Sequence, residues 1–415
     1  MNRYFDIKDK VYDITEKYPE TIDIFVANGF TQFKDEAMRK MMGKGISLEV
    51  ACLTKKINIE LFEQRLIDAI EQYSSSEDDT LSTARKQGSS DIKIEGILPC
   101  PVRIPLLESF NKWMEDNRDR FDFTVDYELK SASMGTDWIR SRIESGNEDT
   151  LSDLFMSAGF DLFFDRGLMG KFKERGVFED ISDFNRLNGD FDNEEIDLKD
   201  PKRQYSIIGV VPAVFLVNTE ELNGRKMPET WEDLLSPEFE SSISLPLHDL
   251  DLFNAVILNI YKNYGEEGIE KLGRSLLRSM APAEMVKSHI KRGDSSIPTV
   301  TVMPYLFTQM VKENSPLKMV WPKDGAIISP IFLLAKKENK EKIKPFVDFF
   351  LSKEVGQLLS TSGKFPSTNP EVDNGLNRDQ RFMWLGWDYI NSHEDIGSLI
   401  KKCLEIFHHA RQEER

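Results

Sequence analysis

Between Tyr205 and Asn218 the chain reads YSIIGVVPAVFLVN, and between Ile327 and Ala335 it reads IISPIFLLA. Such runs are too continuous for a strand with one wet face, where apolar and polar residues alternate. They also fall short of the roughly 18 apolar residues that cross a membrane as a helix. Two strands buried on both faces are the remaining reading, and they require a sheet covered on both sides.

The 415 residues suffice for two or three domains, and a 40% hydrophobic content fills ordinary cores. The formal charge of −17 repels phosphate backbones and anionic lipid, so neither nucleic acid nor direct membrane insertion is expected. The opening residues, MNRYFDIKDKVYDITEK, lack the basic start and apolar core of an export signal. A cytoplasmic location is therefore expected. Cys52, Cys100 and Cys403 lie far apart and form neither a CxxC pair nor a disulfide framework, which fits reduced thiols. Neither a cofactor nor a bound metal is expected; adjacent His408 and His409 point to different sides of a helix and have no third ligand nearby in sequence.

Residues 1–73 read as a separate all-helical domain. Ile59, Phe62, Leu66, Ile70 and Tyr73 repeat at three and four, which places them on one helical face. Pro19 to Asn28 reads as a shorter helix that Gly29 ends. SSSEDDTLSTARKQGSS, over Ser74 to Ser90, has almost no apolar content, so 74–91 is expected to be a flexible tether.

From Ile92 onward strand-like and helical runs alternate, the pattern of an α/β fold with a largely parallel sheet. Ile92 to Leu98 predicts a strand leading to a helix from about Val102. Phe123, Val125, Tyr127 and Leu129 alternate as a half-buried strand. Ile243 to Leu245 and Pro298 to Met303 predict further strands, with Phe253, Val256, Ile260 and Tyr264 on a helix between them. In MPETWEDLL, Thr230 and Asp233 have the spacing of a capping box with Trp231 as its apolar anchor. Helices near Lys344 to Leu351 and Ile396 to Phe407 follow. The two long apolar runs are expected to be crossings between lobes, a pair of strands that flexes while each lobe stays rigid.

Several segments from Ile94 to Val372 resemble ABC-transporter solute-binding proteins of the iron(III), phosphonate and thiamine type. They are MPETWEDLLSPEFESSISLP, WPKDGAIISPIFLLAKK and SKEVGQLLSTSGKFPSTNPEV. The resemblance implies a two-lobed, periplasmic-binding-protein-like type II α/β fold with two hinge crossings. The first lobe would comprise 92–205 and 326–415, and the second 206–325. DITEKYPETIDIFVANGF and ISLEVACLTKKINIELFEQRLIDAI resemble a small helical domain of unknown function found beside redox and iron–sulfur modules. Gly29 and Phe30 are followed by TQFKDEA, without the cysteine pair of many members, so docking to a protein or self-association is expected of residues 1–73.

In folds of this kind ligands sit where strand ends meet helix starts, because unpaired backbone N–H groups there favour anions. Five loops are the expected binding site of a small, anionic solute: Pro99, Cys100 and Arg103; Ser157, Ala158 and Gly159; His248 and Asp249; Met303, Pro304 and Tyr305; and Ser329. Arg103 could pair with a carboxylate or phosphonate, or sit on a surface helical turn. His248 and Asp249 could hold a polar ligand or cap a helix, and Tyr305 could stack on a ligand or line the hinge. Iron(III) binders of the family use tyrosine pairs; PYLF offers Tyr305 alone, which weakens that reading. Non-catalytic binding is expected, with a permease as partner only for an exported chain. The rival is a thiaminase-like enzyme using Cys100, whose thiol at a helix start would be acidified; the same cysteine equally suits packing.

Overall fold

The computed structural model describes residues 4–28, 30–55, 57, 59, 62–63, 66–67, 70, 90–98, 100–131, 137–247, 250–280, 285–286, 289, 296–312, 314–393 and 395–412. They form two units, one of 1–107 with 111–142 and one of 108–110 with 143–415. Gly29, Tyr73 and most of the expected tether lie outside the described residues.

In the first unit, α1 (Val11–Lys17), α2 (Ile22–Ala27), α3 (Glu36–Gly43) and α4 (Leu48–Lys55) surround a phenylalanine core. Phe25 meets Phe62 edge-on at 5.1 Å, and Phe30 stacks on Phe33 at 5.3 Å. Such pairs add about 0.5–1.5 kcal/mol each to their area burial. Phe62, Leu66 and Ile70 are buried on one side, as their spacing predicts, and Ile59 packs at the edge. The helix expected from Pro19 begins as a 3₁₀ turn, Pro19–Thr21, before α2. Asp35 caps α3, its carboxylate accepting from the Met38 N–H at 2.8 Å.

The same unit holds β1 (Ile92–Leu98) and β2 (Val125–Ser131), parallel and in register from Ile92 with Val125 to Leu98 with Ser131. Parallel neighbours need a crossover, and α5 (Cys100–Asp116) supplies most of it. It starts two residues before Val102, since Pro101 suits a first helical turn. Phe123 precedes β2 and packs on Phe121 at 5.4 Å instead of extending the strand. Buried Glu95 on β1 is held by Arg142, whose Nη2 lies 2.9 Å from both carboxylate oxygens, on α6 (Asp137–Glu144).

The second unit begins with β3 (Leu154–Ala158), α7 (Asp161–Phe164) and α8 (Gly170–Glu174), and then enters β4 (Ser206–Asn218). After α9 (Trp231–Leu234) come β5 (Ile243–Leu245), α10 (Leu250–Ser275), β6 (Leu276–Ser279), β7 (Val300–Pro304) and β8 (Leu317–Val320). The chain returns on β9 (Ala326–Ala335) and ends with α11 (Lys340–Phe350), α12 (Lys353–Gly363), β10 (Phe382–Met383), α13 (Trp387–Ser392) and α14 (Ile396–Gln412). The strand order is β3-β9-β4-β7-β5-β6, with β10 on β9 and β8 on β4.

Every residue of β4 and β9 is buried, which is what their uninterrupted apolar runs demand. They lie antiparallel from Ser206 with Leu333 to Ala213 with Ile327, broken by a bulge between Ile207 and Gly209. Gly209 is required there, because a Cβ would stand 3.0 Å from the Pro366 carbonyl. The first half of β4 and the second half of β9 belong to the sheet with β3, whereas the second half of β4 pairs with β7. These are the two crossings of a bilobal α/β fold. The capping box at α9 is complete: Thr230 accepts from Asp233 N–H and Asp233 accepts from Thr230 N–H.

Candidate functional site

The register of the second unit fixes where its strand ends point. β3 runs antiparallel to β9 and stops with Ala158 opposite Ile331. β10 runs parallel to β9, with Met383 opposite Ile327. Since β4 occupies the other edge of β9, the chain leaving β3 and the chain leaving β10 approach each other beside Ile328, Ser329 and Pro330. The rings of Phe160 and Trp384 close this gap at 5.7 Å.

Gly159 turns the chain there with φ +118°, a conformation that side chains rarely adopt. Its second constraint is steric. A Cβ at this position would collide with the Asp251 carboxylate on the first turn of α10 and lie 3.6 Å from the Asp161 carboxylate. The loop after β3 and the start of α10 therefore meet, bringing a residue from each side of the hinge strands into contact. Two carboxylates face the same glycine.

On the far edge of β4, β7 ends with Pro304 opposite Ala213, itself opposite Ile327. Tyr305 follows, its ring edge-on to Trp321 at 5.2 Å, and Trp321 packs on Phe382 at 5.5 Å. Trp321 Nε1 donates to the Arg381 carbonyl at 2.7 Å. Tyr305 is thus tied through Trp321 to the strand that delivers Trp384.

Buried polar atoms are almost always hydrogen-bonded, and this region holds exceptions. Ser329 is 0% exposed and its Oγ has no partner. Trp384 Nε1 donates to nothing, and Asn254 Oδ1, on α10 three residues past Asp251, accepts nothing. Beside them, Lys173 on α8 points its ammonium at the rings of Phe164, Tyr205 and Trp387, 5.0, 5.8 and 5.8 Å away, and donates to Asn391 Oδ1 at 3.1 Å. Burial pushes this amine down to about 8.

Of the residues expected from sequence, Ser157, Ala158, Gly159 and Ser329 come together, with Met303, Pro304 and Tyr305 on the far edge of β4. The Ser157 hydroxyl is satisfied locally, donating to the Ala158 carbonyl at 2.9 Å. Pro99, His248 and Asp249 lie outside the described residues, as does the Cys100 side chain. Arg103 belongs to the first unit, where Nη1 donates to the Leu129 carbonyl of β2 at 3.2 Å. Burial pushes the thiols of Cys52 and Cys403 up to about 11 and about 12, so neither is nucleophilic at neutral pH. Asp161, Asp251, Asn254 and Trp384 escaped the sequence reading. Asp251 stands two residues past a loop that it did select; Trp384 carries no motif. Among the described residues, no group of three or more His, Cys, Asp or Glu is placed to hold a metal ion.

Residues 149–393 match the family model described as bacterial extracellular solute-binding protein. The chain belongs to this family. Residues 5–62 match a domain of unknown function, DUF1858. The spermidine/putrescine-binding periplasmic protein 1 of Haemophilus influenzae is 23% identical over 265 residues, covering 59% of this chain and 73% of that protein. The corresponding protein of Salmonella typhimurium is 22% identical over 49% of this chain and 64% of its own length. Among solved structures, the ferric binding protein from Campylobacter jejuni superimposes with a TM-score of 0.55 at 15% identity, over 77% of this chain and 99% of that one. The periplasmic binding protein AfuA from Actinobacillus pleuropneumoniae, with fructose-6-phosphate bound, gives 0.52 at 18% identity, over 76% and 98%. These likenesses establish the shared two-lobed fold of a solute-binding protein.

Proposed function

We propose that this solute-binding body traps a small amine-bearing cation between the loop after β3 and the start of α10, by closure about β4 and β9. The observation that carries the reading is the approach of the Asp161 and Asp251 carboxylates to Gly159, at the point where residues from both sides of the hinge meet. An ammonium group suits these carboxylates and the ring face of Trp384, and its N–H groups suit Ser329 Oγ and Asn254 Oδ1. Trp384 Nε1 asks for one acceptor besides, from the solute or a bound water. The overall charge of −17 draws cations toward the chain. Relatives named for spermidine and putrescine support the same choice. Backbone N–H groups at helix starts argued for an anion; side-chain carboxylates carry full charges and outweigh such partial ones.

The test is calorimetric titration with putrescine, spermidine, phosphate, citrate and iron(III), paired with solution scattering. A polyamine should raise the melting temperature and reduce the radius of gyration, and Asp251→Asn should weaken its binding about tenfold or more. Binding of phosphate or citrate in preference to the amines would overturn the cation. Tight binding without a change in scattering would overturn closure.

A further inference from the structure

Three strands of the second unit place one polar residue each in a row. Ser244 on β5 pairs with Thr301 on β7 and with Arg278 on β6, and residues paired across strands about 4.8 Å apart share a face. A bulge sets the row. Leu276 pairs with Ile243, but Arg278 and not Leu277 pairs with Ser244, so the extra residue turns a guanidinium onto this face in place of an apolar side chain. β6 ends the strand order of the sheet and Arg278 is partly exposed, so the row opens to solvent at its charged end.

All three residues are unsatisfied. Ser244 is 0% and Thr301 1% exposed, yet neither hydroxyl has a partner, nor does the buried Nε of Arg278. Native folds rarely leave such groups unpaired, because each costs stability. The residues just ahead of β5 and β7 show how the chain completes a similar pair from within: Arg225 donates to Ser242 Oγ at 3.0 Å and to Thr299 Oγ1 at 2.7 Å. Arg278 does not do this for Ser244 and Thr301. Nor does a carboxylate balance it. Arg142, Arg186, Arg274 and Arg381 each meet one, whereas among the described residues none lies within ion-pair distance of Arg278. We propose that the row binds a small tetrahedral oxyanion of the phosphate or sulfate kind, held by residues other than those that face Gly159. The guanidinium fork takes two oxygens, and the hydroxyls donate to the others. A water would serve the hydroxyls without balancing the arginine, and a cation would be repelled by it.

The test is calorimetry and thermal melting of the full chain with phosphate, sulfate and chloride at matched ionic strength, up to about 10 mM. Phosphate or sulfate should raise the melting temperature, and chloride should not. Thr301→Val keeps the branched shape and removes a hydroxyl that has no partner, so without anion this variant should melt no lower than the native chain. Its oxyanion affinity should nevertheless fall about tenfold or more. Arg278→Gln should abolish the binding, and both variants should keep the native affinity for putrescine. Asp251→Asn should leave the oxyanion untouched, so failure here and failure of the amine reading are told apart. An effect that chloride reproduces overturns the proposal, as does binding that survives Arg278→Gln. So does an oxyanion affinity that Thr301→Val leaves intact, or no binding at the highest concentration.

Discussion

The helical region and the solute-binding body both bury aromatic rings, but they fasten them differently. Phe25, Phe30, Phe33 and Phe62 hold one another within a short stretch of chain and use no polar atom. Trp231 is buried against Phe215 at 4.9 Å and is pinned by bonds to a distant segment: Nε1 donates to the Gly325 carbonyl at 3.0 Å, and its backbone N–H to Asp324 at 2.9 Å. The first arrangement follows from local periodicity. The second exists only once the hinge strand β9 has come back, because Gly325 is the residue before it.

The largest expected effect follows from that contrast. Phe25→Ala and Trp231→Ala should each cost about 3–5 kcal/mol, but only Trp231→Ala should also abolish the rise in melting temperature on adding putrescine. Thermal melts of both variants with and without the amine check this. Loss of the solute effect in Phe25→Ala would break the comparison.

A sharper cut lies within the body, between two glycines of positive φ. Gly159 has φ +118° with the Asp251 carboxylate against it; Gly176 has φ +67° and nothing within 4 Å. Ala at 176 should cost about 1 kcal/mol of backbone strain and leave solute affinity unchanged. Ala at 159 should add the collision, forcing α10 away from the loop after β3 and weakening putrescine at least tenfold by calorimetry. Equal affinities in the two variants would mean that the meeting of Gly159 and Asp251 contributes nothing to binding.

Backbone features were the legible ones. Long apolar runs announced β4 and β9, and the Thr230–Asp233 spacing announced a capping box, whereas Ser329, expected on a loop, lies inside β9. Side-chain chemistry was less legible, because it depends on register. Nothing local says that Trp384 comes to rest against Phe160, since β10 spans two residues and pairs with a strand far earlier in the chain. The proposed charge of the solute rests on the same kind of information. Helix starts can be read from sequence and suggest an anion, whereas the approach of Asp161 and Asp251 to one glycine needs β3 and α10 in place. The outer side of α4 was hidden for a further reason: Val50 and Leu53 look like core residues in any periodic reading, and only the fold shows which apolar stripe faces inward.

The smallest expected effect separates a core with an amine at its exposed edge from one that buries an amine. In the helical region Lys55, an exposed residue, reaches over the Phe30 ring at 5.6 Å, whereas Lys173 lies among Phe164, Tyr205 and Trp387 and is largely shielded from water. Burial holds its folded-state value at about 8, and Lys202 adds repulsion that Asp200 and Glu174 oppose. In the unfolded chain the amine keeps its ordinary value near 10.5. Between these two values the unfolded chain binds the proton and the folded chain does not, so stability rises with pH across that window. Below about 8 both states are charged and the penalty is constant. Lys173→Met keeps the stem among the rings and removes the titration. Urea unfolding at pH 7 should find it more stable than the native chain by on the order of 1 kcal/mol, after allowance for the solvent that still reaches the amine and for the lost Asn391 bond. The difference should shrink steadily from pH 8 to pH 10, and a difference independent of pH would show that the cluster accommodates the charged amine without cost.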